Sequence, residues 1–132
     1  MALLESRAPN DPLTLFRRWY AEAERAGVPQ PDAMTLATAG ARCVPSARMV
    51  LFKGVVAGSF LFYTNYESQK GRDLAANRQA ALVFYWSATR HQVRLSGSVR
   101  RVSRSESRAY FHSRPRGAQL SALASRQTPT TV

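Results

Sequence analysis

The residues best suited to chemistry gather between Arg48 and Lys70. Arg48, Lys53, Tyr63, Thr64, Ser68, Gln69 and Lys70 bring two kinds of cation, hydroxyl groups and an amide into one short stretch. An arginine fork can meet two phosphate oxygens at once, whereas a lysine contributes a mobile point charge. Ser68 to Lys70 also stand at an expected helix start, where backbone N–H groups favour anions. Together they suit a phosphate-bearing ligand, and Gln92 and Arg94 are expected to approach from another strand. The residues themselves leave open whether that ligand is a substrate, a cofactor or a regulatory anion.

Other chemistries find less support. His91 and His112 are the two histidines, and neither has a carboxylate at ligand spacing, so no metal site is expected. Cys43 is the only cysteine and has no histidine or second thiol nearby in sequence; it forms no internal disulfide and is read as a passive thiol. Carboxylates are scattered and no nucleophile elbow accompanies the serines, which leaves protein-side covalent catalysis weak and no catalytic residue named. Gly54 and Gly58 belong to neither a dinucleotide nor a triphosphate loop, and Gly71 is isolated.

Positioning these groups requires strands. Arg48, Val50 and Phe52 alternate with Met49, Leu51 and Lys53, and Phe60 and Phe62 alternate with Leu61 and Tyr63, which predicts a β-hairpin turning through Gly54 to Ser59. Ahead of it, Asp11 as cap, Pro12, and the spacing of Leu13, Phe16, Trp19, Tyr20 and Ala23 predict an amphipathic helix that Gly27 ends. Ala33 to Thr38 reads as a strand. Beyond the hairpin, Ser68 caps a helix reaching about Ala76, and Ala80 to Trp86 is an apolar strand. Gln92, Arg94 and Ser96 then alternate with Val93 and Leu95, with a bend or bulge expected at Gly97. Ser103 and Glu106 have capping-box spacing for a helix that stops at Pro115. Gly117 to Ser125 is helix-compatible, and RQTPTTV holds no further apolar element. At least five closely spaced strands with helices at the connections argue for a mainly β, mostly antiparallel barrel or curled sheet with peripheral helices.

One core is the expectation for 132 residues of which 45% are hydrophobic: a flexible leader over residues 1–10 and a single domain over 11–132. No run reaches membrane-spanning length and no secretory segment is evident, so a cytoplasmic location with no membrane partner is the default. The formal charge of +11, from 19 Lys plus Arg against 8 Asp plus Glu, attracts anions. A recognition helix, zinc finger or paired aromatic motif is not evident, so the expected partner is a small anion and not nucleic acid.

The motifs DPLTLFRRWYAEAERAG, PDAMTLAT, PSARMVLFKG, FYTNYESQKGRDL, LVFYW and YFHSRPRGAQL, followed by SRQ, resemble the pyridoxamine 5'-phosphate oxidase family from Asp11 to about Thr128. That resemblance implies an FMN-binding split β-barrel working as a homodimer. It implies oxidation of pyridoxamine or pyridoxine 5'-phosphate to pyridoxal 5'-phosphate, with electrons passing through FMN to oxygen. By the same resemblance Arg48, Met49, Val50 and Leu51 match one FMN-contacting strand, Tyr63 and Thr64 another, and Ser68, Gln69 and Lys70 the phosphate-binding turn. Lys53 matches a residue between flavin and substrate phosphate. Gln92 matches a flavin-ring glutamine, and Gln127 with Thr128 a pair reaching the flavin from the partner subunit. Tyr110 and Arg114 match substrate-phosphate ligands. His112, inside the same motif, reads as a packing residue and not as the base.

Gln69 stands where many relatives have arginine, and Ala118 where a serine often helps. Family members continue into further strands carrying tryptophan, arginine and histidine site residues; TPTTV stands in their place, implying a fragment or a truncated product incomplete at its C-terminus, with exposed edges. SQKGR also resembles phenazine-biosynthesis flavin oxidases, while YFHSRPRG favours the pyridoxal phosphate enzyme. A noncatalytic flavin- or phosphate-binding module is the third reading.

Overall fold

A computed structural model describes residues 10–65, 67–113, 116–117 and 128–131. Its first helix, α1 (Pro12–Arg25), matches the apolar spacing. The Asp11 carboxylate accepts from the Leu13 N–H at 3.0 Å, and Pro12 fills a first-turn position where its missing N–H is not needed. Gly27, at φ +75°, turns the chain out of the helix.

Eight strands are described: β1 (Ala33–Ala39), β2 (Pro45–Leu51), β3 (Gly54–Val56), β4 (Ser59–Thr64), β5 (Gln79–Trp86), β6 (His91–Ser98), β7 (Arg100–Arg101) and β8 (Thr128–Thr131). Helix α2 (Gln69–Ala76) lies between β4 and β5, and α3 (Arg104–Ser113) follows β7. The strands form two four-stranded sheets, β2-β1-β5-β6 and β3-β4-β8-β7, with every pairing antiparallel. The expected antiparallel β architecture with peripheral helices is therefore present, as two sheets that do not close into one continuous ring.

Three local expectations are corrected. Strand β2 does not form a hairpin with β4; it pairs with β1, Met34 opposite Val50 and Leu36 opposite Arg48. The hairpin is β3–β4. Ala57 and Gly58, at φ +50° and +78°, make a two-residue turn with both centres left-handed, so only Gly54–Val56 are left to pair along β4. Between the two sheets the chain crosses at a single step: the Phe52 N–H donates to Asp32 O and the Lys53 N–H to Leu61 O, each at 2.8 Å. The second correction concerns Gly97, which pairs with Ala80 inside β6 without a bulge. The break falls at Val99, whose N–H leaves the ladder for Arg78 O at 2.6 Å as the chain changes sheets again. Third, the polar end of the chain supplies β8, which ladders with β4 and β7. Its pairing runs through the backbone, and an apolar pattern carries no trace of that.

Phe16 shows how α1 holds the halves together. Its ring meets Phe60 of β4 edge-on at 4.9 Å and Phe52 at 5.5 Å, and it packs at a tilt against Phe84 of β5 at 5.2 Å. Met34, Leu36, Phe60, Phe62, Leu82 and Phe84 complete a core fed from both sheets. At α3, the Ser103 hydroxyl accepts from the Glu106 N–H and Glu106 accepts from the Ser103 N–H, both at 3.2 Å, which is the reciprocal cap its spacing predicts. Among the described residues no helix is long and apolar enough to cross a membrane. Replacing Phe16 by alanine removes the ring shared by both sheets; a loss of roughly 3–5 kcal/mol is expected, read as a lower urea midpoint.

Candidate functional site

The pleat of β2 decides where its side chains go. Ser46, Arg48 and Val50 are half-buried, while Pro45, Ala47, Met49 and Leu51 are exposed on the other face. Val50 packs on the core, and Arg48, two residues closer to the strand's start, reaches polar groups instead. Its Nη1 donates to Thr38 Oγ1 at 2.7 Å and to the Leu36 carbonyl at 3.3 Å, and its Nη2 donates to Ser46 Oγ at 2.5 Å. Asp73 of α2 lies 3.8 Å from Nη2 and accepts from Thr38 Oγ1 at 2.8 Å and Ser46 Oγ at 3.2 Å.

Helix α2 starts where capping chemistry dictates. The Ser68 Oγ accepts from the Gly71 N–H at 3.3 Å and donates to the Asn65 carbonyl at 2.5 Å. Lys70, in the first turn, donates to Ser68 Oγ at 3.5 Å. Its pKa is lowered from 10.5, first by burial and then by the positive charge of Arg48. The charge of Arg48 thus reaches Lys70, and an anion bound beside Lys70 would offset it. Among the described residues no cluster of three or more His, Cys, Asp or Glu side chains could hold a metal.

Thr64 is a further buried hydroxyl. It is 1% exposed, and among the described residues its Oγ1 has no hydrogen-bond partner. An unmatched buried hydroxyl costs about 1–3 kcal/mol. The residue lines a cavity of about 500 Å³ with Gly71 and Leu74 of α2, Val99 and the Arg78 and Arg100 side chains. Lys70 in the first turn of the capped helix, within the field of Arg48, fits a phosphate-bearing group, while the Thr64 hydroxyl belongs to a cavity whose lining includes neither cation.

The other predicted residues are dispersed. Met49 (62% exposed) and Leu51 (40%) lie on the outer face of the sheet. Lys53 sits at the crossing between the sheets, and Tyr63 is buried on the face of β4 opposite Thr64. Gln69 is exposed at the first position of α2. Thr128 is opposite Thr64 in the β4–β8 ladder. Tyr110 falls on α3, while Arg114 and Gln127 lie outside the described residues.

Gln92 and Arg94 do not join Arg48 within one chain. The register aligns Arg48, Leu36, Leu82 and Leu95 across the inner face, and Met49, Thr35, Val83 and Arg94 across the outer one. Within one strand, residues two apart share a face unless a bulge intervenes, so Gln92 follows Arg94 outward. Sequence reasoning also missed Thr38, Ser46 and Asp73. Ser46 was recoverable as the same-face neighbour of Arg48; Asp73 carried no signal, because only the fold brings α2 to β1 and β2.

Residues 20–131 match the family described as pyridoxamine 5'-phosphate oxidase. Over 127 residues the chain is 54% identical to a pyridoxine/pyridoxamine 5'-phosphate oxidase of Acaryochloris marina, covering 96% of this chain and 58% of that relative. The chain therefore spans little more than half the length of such a relative. Among solved structures, PhzG from Burkholderia lata, in complex with tetrahydrophenazine-1-carboxylic acid, superposes with a TM-score of 0.80 at 25% identity, covering 98% of this chain and 80% of PhzG. A pyridoxamine 5'-phosphate oxidase-related, FMN binding protein from Nostoc punctiforme shares the fold at a TM-score of 0.72 and 20% identity, with 84% and 63% of the two chains covered.

Because burial and, after it, the charge of Arg48 disfavour the charged form of Lys70, an anion bound beside Lys70 restores that form and is taken up together with protons at alkaline pH. Affinity for inorganic pyrophosphate is expected to fall as pH rises through the Lys70 pKa, below the ordinary 10.5, in titrations at constant ionic strength. Lys70→Gln is expected to weaken binding at neutral pH and to flatten that alkaline fall.

Proposed function

The chain belongs to the pyridoxamine 5'-phosphate oxidase family, and from that premise we propose that it binds FMN and oxidises pyridoxamine or pyridoxine 5'-phosphate to pyridoxal 5'-phosphate. Oxygen is the electron acceptor in this reading. The observation that carries it is Lys70 in the first turn of α2, donating to the capping Ser68 hydroxyl, with a pKa lowered by burial and by the positive charge of Arg48 on β2.

When bound, the flavin supplies the two-electron oxidation of the substrate and the reduction of oxygen to hydrogen peroxide. The chain's own residues bind and orient. Arg48 and Lys70 hold the FMN phosphate, with Ser68, Gln69 and the Thr64 hydroxyl as further donors and the backbone of Met49, Val50 and Leu51 beside the ring. Tyr63, with Thr64, belongs to the second strand assigned to FMN. Lys53 stands between flavin and substrate, and Tyr110 and Arg114 take the substrate phosphate. Holding both phosphates would fix the substrate relative to a bound flavin, so most of the protein's contribution would be orientation.

A homodimer belongs to the same reading. Gln92 faces outward with Met49 and Arg94, away from Arg48, which supports a reading in which a second copy supplies the Gln92 that meets a flavin held by Arg48. The exposed Met49, Leu51 and Tyr85 side chains on that outer face support a protein partner there. Gln127 and Thr128 are assigned to the flavin of the second copy. A cytoplasmic location completes the reading.

FMN titration and steady-state kinetics with pyridoxine 5'-phosphate test the division of labour. Arg48→Ala is expected to weaken FMN binding by roughly ten- to a hundredfold, the scale of lost hydrogen bonds to a charged group. Arg114→Ala is expected to raise the substrate KM and leave FMN affinity near wild type. Interchangeable phenotypes reject the assignment, and a protein that retains FMN yet forms neither aldehyde nor peroxide is a noncatalytic flavin module.

A further inference from the structure

Arg48 can only donate hydrogen bonds, and an ionised Asp73 can only accept them. The hydroxyls between them therefore have one possible orientation. Thr38 Oγ1 and Ser46 Oγ both send their protons to Asp73 Oδ2, at 2.8 and 3.2 Å, and turn their lone pairs to Nη1 and Nη2 of Arg48, at 2.7 and 2.5 Å. The carboxylate and guanidinium are 3.8 Å apart, too far for a direct hydrogen bond, so the two hydroxyls make the connection. Both Nη1 hydrogens and one on Nη2 are spent on Thr38, Leu36 and Ser46. Among the described residues, the second Nη2 hydrogen and the Nε–H remain for a ligand.

Gly40 makes room for this arrangement. A Cβ at that position would stand 2.7 Å from Asp73 Oδ1, closer than the carboxylate could tolerate without moving. We propose that Asp73 is a positioning residue: without touching the ligand, it orders the Thr38 and Ser46 hydroxyls and so holds the Arg48 guanidinium with its remaining N–H groups toward an incoming phosphate. That the phosphate is the one on FMN rests on the functional reading above. The carboxylate also repels an anion, so positioning and repulsion predict opposite signs when it is removed.

The test titrates wild type, Asp73→Ala, Asp73→Asn, Arg48→Ala and the D73A/R48A double variant with FMN and with riboflavin, which lacks the phosphate. Flavin fluorescence reports binding, and nitrogen NMR follows the Arg48 side chain without flavin. D73A is expected to weaken FMN about five- to tenfold, leave riboflavin within about twofold, and add nothing to R48A. Its Arg48 Nη signals should broaden, and D73N, whose amide oxygen can replace Oδ2, should recover part of the affinity. Equal or tighter FMN binding by D73A, an equal loss for riboflavin, or an equal further loss on R48A overturns the proposal.

If wild type binds neither flavin, the FMN reading fails, and the NMR comparison still decides the role of Asp73. Broadened Arg48 signals in D73A uphold it; unchanged ones refute it. Should D73A fail to fold, Gly40→Ala, which displaces the carboxylate and keeps its charge, provides the same comparisons.

Discussion

A guanidinium turned toward the inside of a sheet must be met by acceptors, because an arginine cannot shed its charge. In this fold the pleat of β2 commits Arg48 to the inner face, and the structure around it is the answer to that commitment. Strand β1 contributes the Leu36 carbonyl and the Thr38 hydroxyl, and β2 itself contributes Ser46. Helix α2 brings the only carboxylate seen at the cluster among the described residues. The same contacts that satisfy the charge hold it still, which is the property an anion site needs.

Helix α2 links this cluster to the rest of the fold. Its cap at Ser68 fixes where the first turn begins, and that choice places Lys70 near Arg48 and Asp73 against Gly40. Another face of the helix, through Gly71 and Leu74, lines the cavity that Thr64 shares. One short helix therefore orients groups from both sheets. The aromatic contacts of Phe16 perform the complementary task at α1, tying Phe52, Phe60 and Phe84 together across the division between the sheets.

The two faces of the first sheet have separate uses. Toward the core it presents Leu36, Leu82 and, at the strand edge, the polar seat of Arg48. Outward it presents Met49, Tyr85 and Gln92, a mixture of apolar bulk and amide at the surface. The outward set lies on the face of the sheet opposite the seat of Arg48.

Much of this was legible in the residues alone. The helix caps at Asp11, Ser68 and Ser103, the strand alternation, and the cationic character of the stretch from Arg48 to Lys70 depend on local rules of periodicity and hydrogen bonding, and sequence carries those directly. The sequence therefore determined the antiparallel β class, the family, and the cationic and hydroxyl character of the stretch from Arg48 to Lys70. Only the tertiary structure decided that β2 pairs with β1 instead of β4, that β8 joins the second sheet, and that Gln92 faces away from Arg48. It alone brought Asp73 to Thr38 and Ser46. Strand partnership and contacts between distant elements are settled by backbone hydrogen bonding and packing across space, and no local pattern along the chain encodes which partner wins.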